Sequence, residues 1–92
     1  MAKARAHLIV HGRVQGVFFR YNTKDQADSL GVFGQVRNLR GGTVEVVAEG
    51  PENQISNLID WCHSGPSTSL VEKVEVKKED YQEEFEDFAI RY

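Results

Sequence analysis

Ninety-two residues with 40% hydrophobic content make one globular domain around a single small core. A net charge of −3 and a pI near 5.5 argue against a nucleic-acid partner, which would call for a basic face. One cysteine, Cys62, excludes an internal disulfide and an all-cysteine metal site. No apolar run approaches a membrane span, and no apolar signal core follows Met1-Ala2-Lys3-Ala4-Arg5-Ala6, so the expected home is the cytoplasm with no membrane partner.

The first predicted strand covers about His7 to Gly12 and is apolar on both faces at Leu8, Ile9 and Val10, which suits a central position. A short glycine-bearing turn follows, and Asn22 reads as the N-cap of the first helix with Asp25 at its third position. Thr23, Ala27 and Leu30 fall on one helix face, and Gly31 ends it. Gly34 to Leu39 and Thr43 to Glu49 read as two strands joined by a hairpin turn at Arg40-Gly41-Gly42. In the second of these strands Val44, Val46 and Ala48 share a face while Glu45 and Glu49 point the other way, the pattern of a sheet covered on one side.

Gly50-Pro51-Glu52 opens the second helix, and Ile55, Leu58, Ile59 and Cys62 form its apolar stripe before Gly65-Pro66 stops it. Leu70 to Lys77 reads as a strand with Val74 and Val76 inward and Lys73, Glu75 and Lys77 outward. Glu79 to Asp87 reads as a solvated acidic connection, and Phe88, Ile90 and Tyr92 alternate in a terminal strand whose partner the pattern leaves open. The order implies an α+β fold of the ferredoxin-like βαββαβ plan. That plan places two helices on one face of an antiparallel sheet, here with a short C-terminal strand added.

The most informative stretch is Gly12-Arg13-Val14-Gln15-Gly16-Val17-Phe18-Phe19-Arg20. A strand that breaks into a glycine-bearing turn and restarts as a helix turns backbone N–H groups into one concavity, and the helix start adds positive potential. Arg20 adds a planar fork that fits two phosphate oxygens. The spacing matches neither the dinucleotide fingerprint nor the P-loop. Taken alone, it fits an anion cradle or an ordinary strand-to-helix connection with an exposed arginine. The right-handed crossover sets the first two strands parallel, which brings Asn38, at the end of the second, up beside this loop. By itself Asn38 also fits an asparagine entering a turn.

The same stretch closely resembles the signature of the acylphosphatase family. The resemblance continues through Val36-Arg37-Asn38-Leu39 and from Gly42 to Pro51, and resumes at Val74-Glu75-Val76 and Phe88-Ala89-Ile90-Arg91-Tyr92. It covers nearly the whole chain and implies one free-standing domain over residues 1–92 with the fold just described. It further implies hydrolysis of acyl phosphates without a metal or cofactor, with Arg20 and Asn38 at the family's two catalytic positions. Gln35 stands where many members carry an aromatic residue.

The chemistry agrees with that implication. An acyl phosphate leaves as a carboxylate and needs no protonation, so donors aimed at the phosphoryl oxygens plus a positioned water suffice. The expected arrangement has Arg20 and the backbone of Gln15, Gly16, Val17, Phe18 and Phe19 holding the phosphoryl group while Asn38 orients the water. The expected product is inorganic phosphate, and the expected state is a monomer. The competing expectation is a non-catalytic phosphate-binding module of the same fold. His7 and His11 share a strand face but lack a third metal ligand by spacing, Cys62 and half-covering Trp61 belong to the core, and His63 suits a helix C-terminus.

Overall fold

In the computed structural model, which describes residues 2–92, seven elements follow in the order expected. They are β1 (Lys3–Arg13), α1 (Phe19–Leu30), β2 (Phe33–Asn38), β3 (Val44–Pro51), α2 (Glu52–Ser64), β4 (Leu70–Glu79) and β5 (Phe88–Arg91). The strands form one sheet in the order β4-β1-β3-β2-β5. β1 is indeed central, antiparallel to both β3 and β4. β5 pairs in parallel with β2, so the sheet is mixed rather than wholly antiparallel.

Alternation along the strands sends Ala6, Leu8 and Val10 of β1 and Val44, Val46 and Ala48 of β3 into the core, all fully buried. The helices close over that face with Thr23 and Ala27 of α1 and the Ile55, Leu58 and Cys62 stripe of α2. Burying each large aliphatic side chain contributes about 1.5–3 kcal/mol. Burial also pushes the Cys62 thiol up to about 12, which leaves it protonated and inert. Trp61 half-covers the core beside Phe19, with ring centroids 5.5 Å apart. His63, in the last turn of α2, sits 3.0 Å from the Ile59 carbonyl.

Three further expectations need correction. The first helix starts at Phe19, not after Asn22, and Asn22 instead donates its side-chain amide to the Phe18 carbonyl at 2.8 Å. Val76 pairs with Leu8 and shares its face, but β4 is an edge strand and Val76 stays 40% exposed. Finally, the acidic connection is not simply solvated. Gln82 and Glu84 donate backbone N–H groups to the buried Glu49 carboxylate at 2.8 Å each, so the segment straps across the open face of the sheet.

Under that strap Arg5 bonds Glu49, Glu79 and Glu84 at 3.2, 2.8 and 2.8 Å and lies against the Phe85 ring. A carboxylate on a sheet face can be buried only when it is paired and hydrogen-bonded. Glu49 meets both conditions. Farther along the open face His7 lies 2.7 Å from Glu45, and His11 lies 2.6 Å from Glu75. Each histidine thus meets its own carboxylate, and the two do not converge on one centre.

Candidate active site

The site lies at the end of the sheet where β1 runs out and β2 ends. The ladder of β1 with β4 shifts register between His11 and Gly12 and continues to Arg13, where the strand ends. A Cβ at Gly12 would lie 2.1 Å from the Leu70 carbonyl oxygen, so only glycine lets β4 approach so closely at this irregularity. The loop then passes through Gly16 at φ 73°, with open space around its Cα, and through Phe18 at φ 63° before α1 begins. Both residues are left-handed, which reverses the chain tightly and turns backbone toward the space above. No acidic side chain occupies the first turn of α1, so its positive end is not neutralised by its own residues.

Two braces fix the loop. The Gln15 side chain donates to the carbonyls of Leu39 and Thr43, at 2.8 Å each, and ties the loop to the hairpin that carries Asn38. Thr68, from the segment after α2, donates its hydroxyl to the Val17 carbonyl at 2.6 Å. Val14 and Val17 sink into the core beneath.

These elements enclose a cavity of about 220 Å³. The loop contributes Val14, Gly16 and Phe18, α1 contributes Phe19, Arg20 and Tyr21, and β2 contributes Asn38. Arg20 and Asn38 are thus brought to one cavity, as the parallel run of β1 and β2 requires. Of the residues expected in the cradle, Gly16, Phe18 and Phe19 line it, whereas Gln15 and Val17 do not. Arg13 and Arg37 are exposed, and Arg37 pairs with Glu45 at 2.6 Å.

Arg20 is held from behind. It donates to the Arg91 carbonyl at 3.2 Å, and its guanidinium carbon lies 4.7 Å from the Tyr92 ring centroid. Among the described residues it pairs with no carboxylate, so most of its donors remain available. Asn38 is half-buried, and its Oδ1 is buried without a hydrogen-bond partner among the described residues. Buried acceptors are rarely left so, and one at a cavity wall suits a water or a ligand donor.

The pattern reading missed Tyr21, the Arg91–Tyr92 support, and the braces from the Gln15 side chain and Thr68. Nothing local marks the last three, because each acts across contacts distant in sequence, and Tyr21 carries no signal beyond its place next to Arg20. Gln35, the departure noted above, accepts from Arg91 at 3.4 Å and so joins β2 to the strand that supports Arg20.

Comparison with known proteins gives the same answer. The family model described as Acylphosphatase matches residues 6–90. An acylphosphatase of Pelotomaculum thermopropionicum is 48% identical over 92 residues, covering 100% of both chains. One from Pyrobaculum calidifontis is 53% identical over 94% of this chain and 79% of its own. The crystal structure of acylphosphatase from Bacillus subtilis superposes with a TM-score of 0.92 at 37% identity, covering 97% of this chain and 99% of that one. On these matches the chain belongs to the acylphosphatase family.

Proposed function

We propose that the chain hydrolyses the carboxylate–phosphate anhydride of acyl phosphates to a carboxylate and inorganic phosphate, with Arg20 and Asn38 as its catalytic residues. The Arg20 guanidinium and the N–H groups of the loop hold the phosphoryl oxygens, and the positive end of α1 adds to the field. Asn38 accepts a hydrogen bond from a water and aims it at phosphorus. The new P–O bond forms as the bond to the carboxylate breaks, and the carboxylate leaves as an anion. The proton of the water passes to a phosphoryl oxygen, so no side-chain base is required. The protein supplies position and electrostatic complementarity, which is what a dissociative phosphoryl transfer demands.

The observation that carries this reading is the unpartnered Asn38 Oδ1 at the wall of the cavity that Arg20 also lines. It also favours catalysis over the second reading, a module that merely binds phosphate, because phosphate is held chiefly through donors whereas a free acceptor suits an attacking water. The reading takes the chain to act as a monomer in the cytoplasm through one acylphosphatase domain, since Arg20 and Asn38 meet in one cavity of this chain without calling on a second copy. Among the described residues no helix is long and apolar enough to cross a membrane.

The test is hydrolysis of benzoyl phosphate with chelator present, in ¹⁸O-labelled water. Chelator-resistant turnover that places the label in inorganic phosphate, and that is lost in Arg20→Gln and Asn38→Ala, supports the reading. Label in the carboxylate would place the attack at the acyl carbon and overturn it. A folded wild type that binds phosphate without turnover would leave the binding module.

A further inference from the structure

The cavity lining includes two rings that the reaction described above does not use. Phe18 and Tyr21 carry them, and they are 68% and 61% exposed. Phe18 is the N-cap of α1 and Tyr21 lies three residues on, in its first turn, in a cavity that Arg20 also lines. The neighbouring Phe19 behaves in the opposite way, at 1% exposed against Trp61.

Phe18 is also strained. At φ 63° and ψ 23° it occupies the left-handed region, where a bulky side chain is disfavoured and glycine or asparagine is at ease. Core packing does not offset that cost, because the ring stands out in solvent. An unfavourable backbone carrying an exposed aromatic ring at a cavity rim is the kind of local conflict that accompanies a task for the side chain.

We propose that Phe18 and Tyr21 receive the acyl part of the substrate, so that the site selects acyl phosphates with an aromatic or bulky apolar acyl group over short ones such as acetyl phosphate. The inference rests on the phosphoryl group occupying the Arg20 cradle. With phosphorus there, the carboxyl end must leave through the open side of the cavity. There it meets two aromatic faces, which attract an apolar or aromatic group as it leaves water. Phe18 and Tyr21 are then specificity-determining residues. Phe18 also keeps its backbone role in the cradle.

The experiment measures kcat/KM for benzoyl phosphate and acetyl phosphate with wild type, Phe18→Asn and Tyr21→Ala. Comparing the benzoyl-to-acetyl ratio between proteins cancels the difference in intrinsic reactivity of the two anhydrides. The ratio is expected to fall about 3- to 10-fold in each variant, carried mainly by a higher KM for benzoyl phosphate. Phe18→Asn should melt no lower than wild type, because asparagine tolerates the left-handed conformation. Tyr21→Ala provides the same readout without touching the loop backbone. Loss of both substrates in proportion, with the ratio unchanged in both variants, would overturn the proposal while leaving the hydrolysis intact. A wild type that turns over neither substrate would overturn the activity, and this subsite with it.

Discussion

Two arginines at opposite ends of the sheet show how one residue type is put to different work. Arg5, near the start of β1, is nearly buried and meets three glutamates together with the Phe85 ring. Arg20, in the first turn of α1, has one backbone carbonyl and one aromatic ring, and no carboxylate among the described residues. Arg5 is satisfied within the fold and closes the strap over the sheet. Arg20 is oriented but not satisfied, and its remaining donors line a cavity. A guanidinium fixed in place without a counter-charge is prepared for an anion that comes from outside.

Breaking each arginine in turn should therefore damage different properties. Arg20→Ala is expected to lower kcat/KM on an acyl phosphate by more than about 1,000-fold, since charge and fork are lost together. Its thermal midpoint should stay close to that of wild type. Asn38→Ala should cost about 100- to 1,000-fold in kcat, the scale of a single oriented polar group, with no loss of stability because the lost oxygen has no partner. Arg5→Ala should reverse the pattern. It leaves Glu49 buried and unpaired, which costs about 3 kcal/mol and lowers the thermal midpoint by about 12 °C or more, with turnover per folded molecule retained.

The smallest effect concerns acid. Burial alone would raise the Glu49 carboxyl, but the backbone N–H groups of Gln82 and Glu84 and the Arg5 charge outweigh it and hold it below its ordinary 4.5. A carboxyl depressed in the folded state contributes its full stability above its unfolded value and loses it as pH falls through its folded value. Urea midpoints should thus stay level toward 4.5 and decline below it. In Glu49→Gln that decline should be shallower, from a lower starting midpoint at neutral pH.

The contrast between the two arginines also marks what the chain order could reveal. Arg20 was legible because its chemistry is local: a strand, two glycines and an arginine lie in one short stretch. Asn38 needed only the parallel run of β1 and β2, which the βαββαβ order supplies. The stripe Ile55, Leu58 and Cys62 was equally plain, because helical periodicity repeats within α2 itself. The Arg5 cluster was not legible. Its partners come from β3, β4 and the strap, and an acidic run looks the same whether it is solvated or folded over a buried charge. The parallel pairing of β5 depends on where that strap lands, and the start of α1 at Phe19 depends on a left-handed residue that is neither glycine nor asparagine.

The most direct test of the account is a residue-resolved amide titration with inorganic phosphate. The account predicts saturable shifts at the N–H groups of residues 15–20 and at the Asn38 side-chain amide. It predicts none around Arg5, Glu49 and Gln82, and it predicts that Arg20→Ala abolishes the response. Shifts centred on the Arg5 cluster, or an unaltered response in Arg20→Ala, would contradict it.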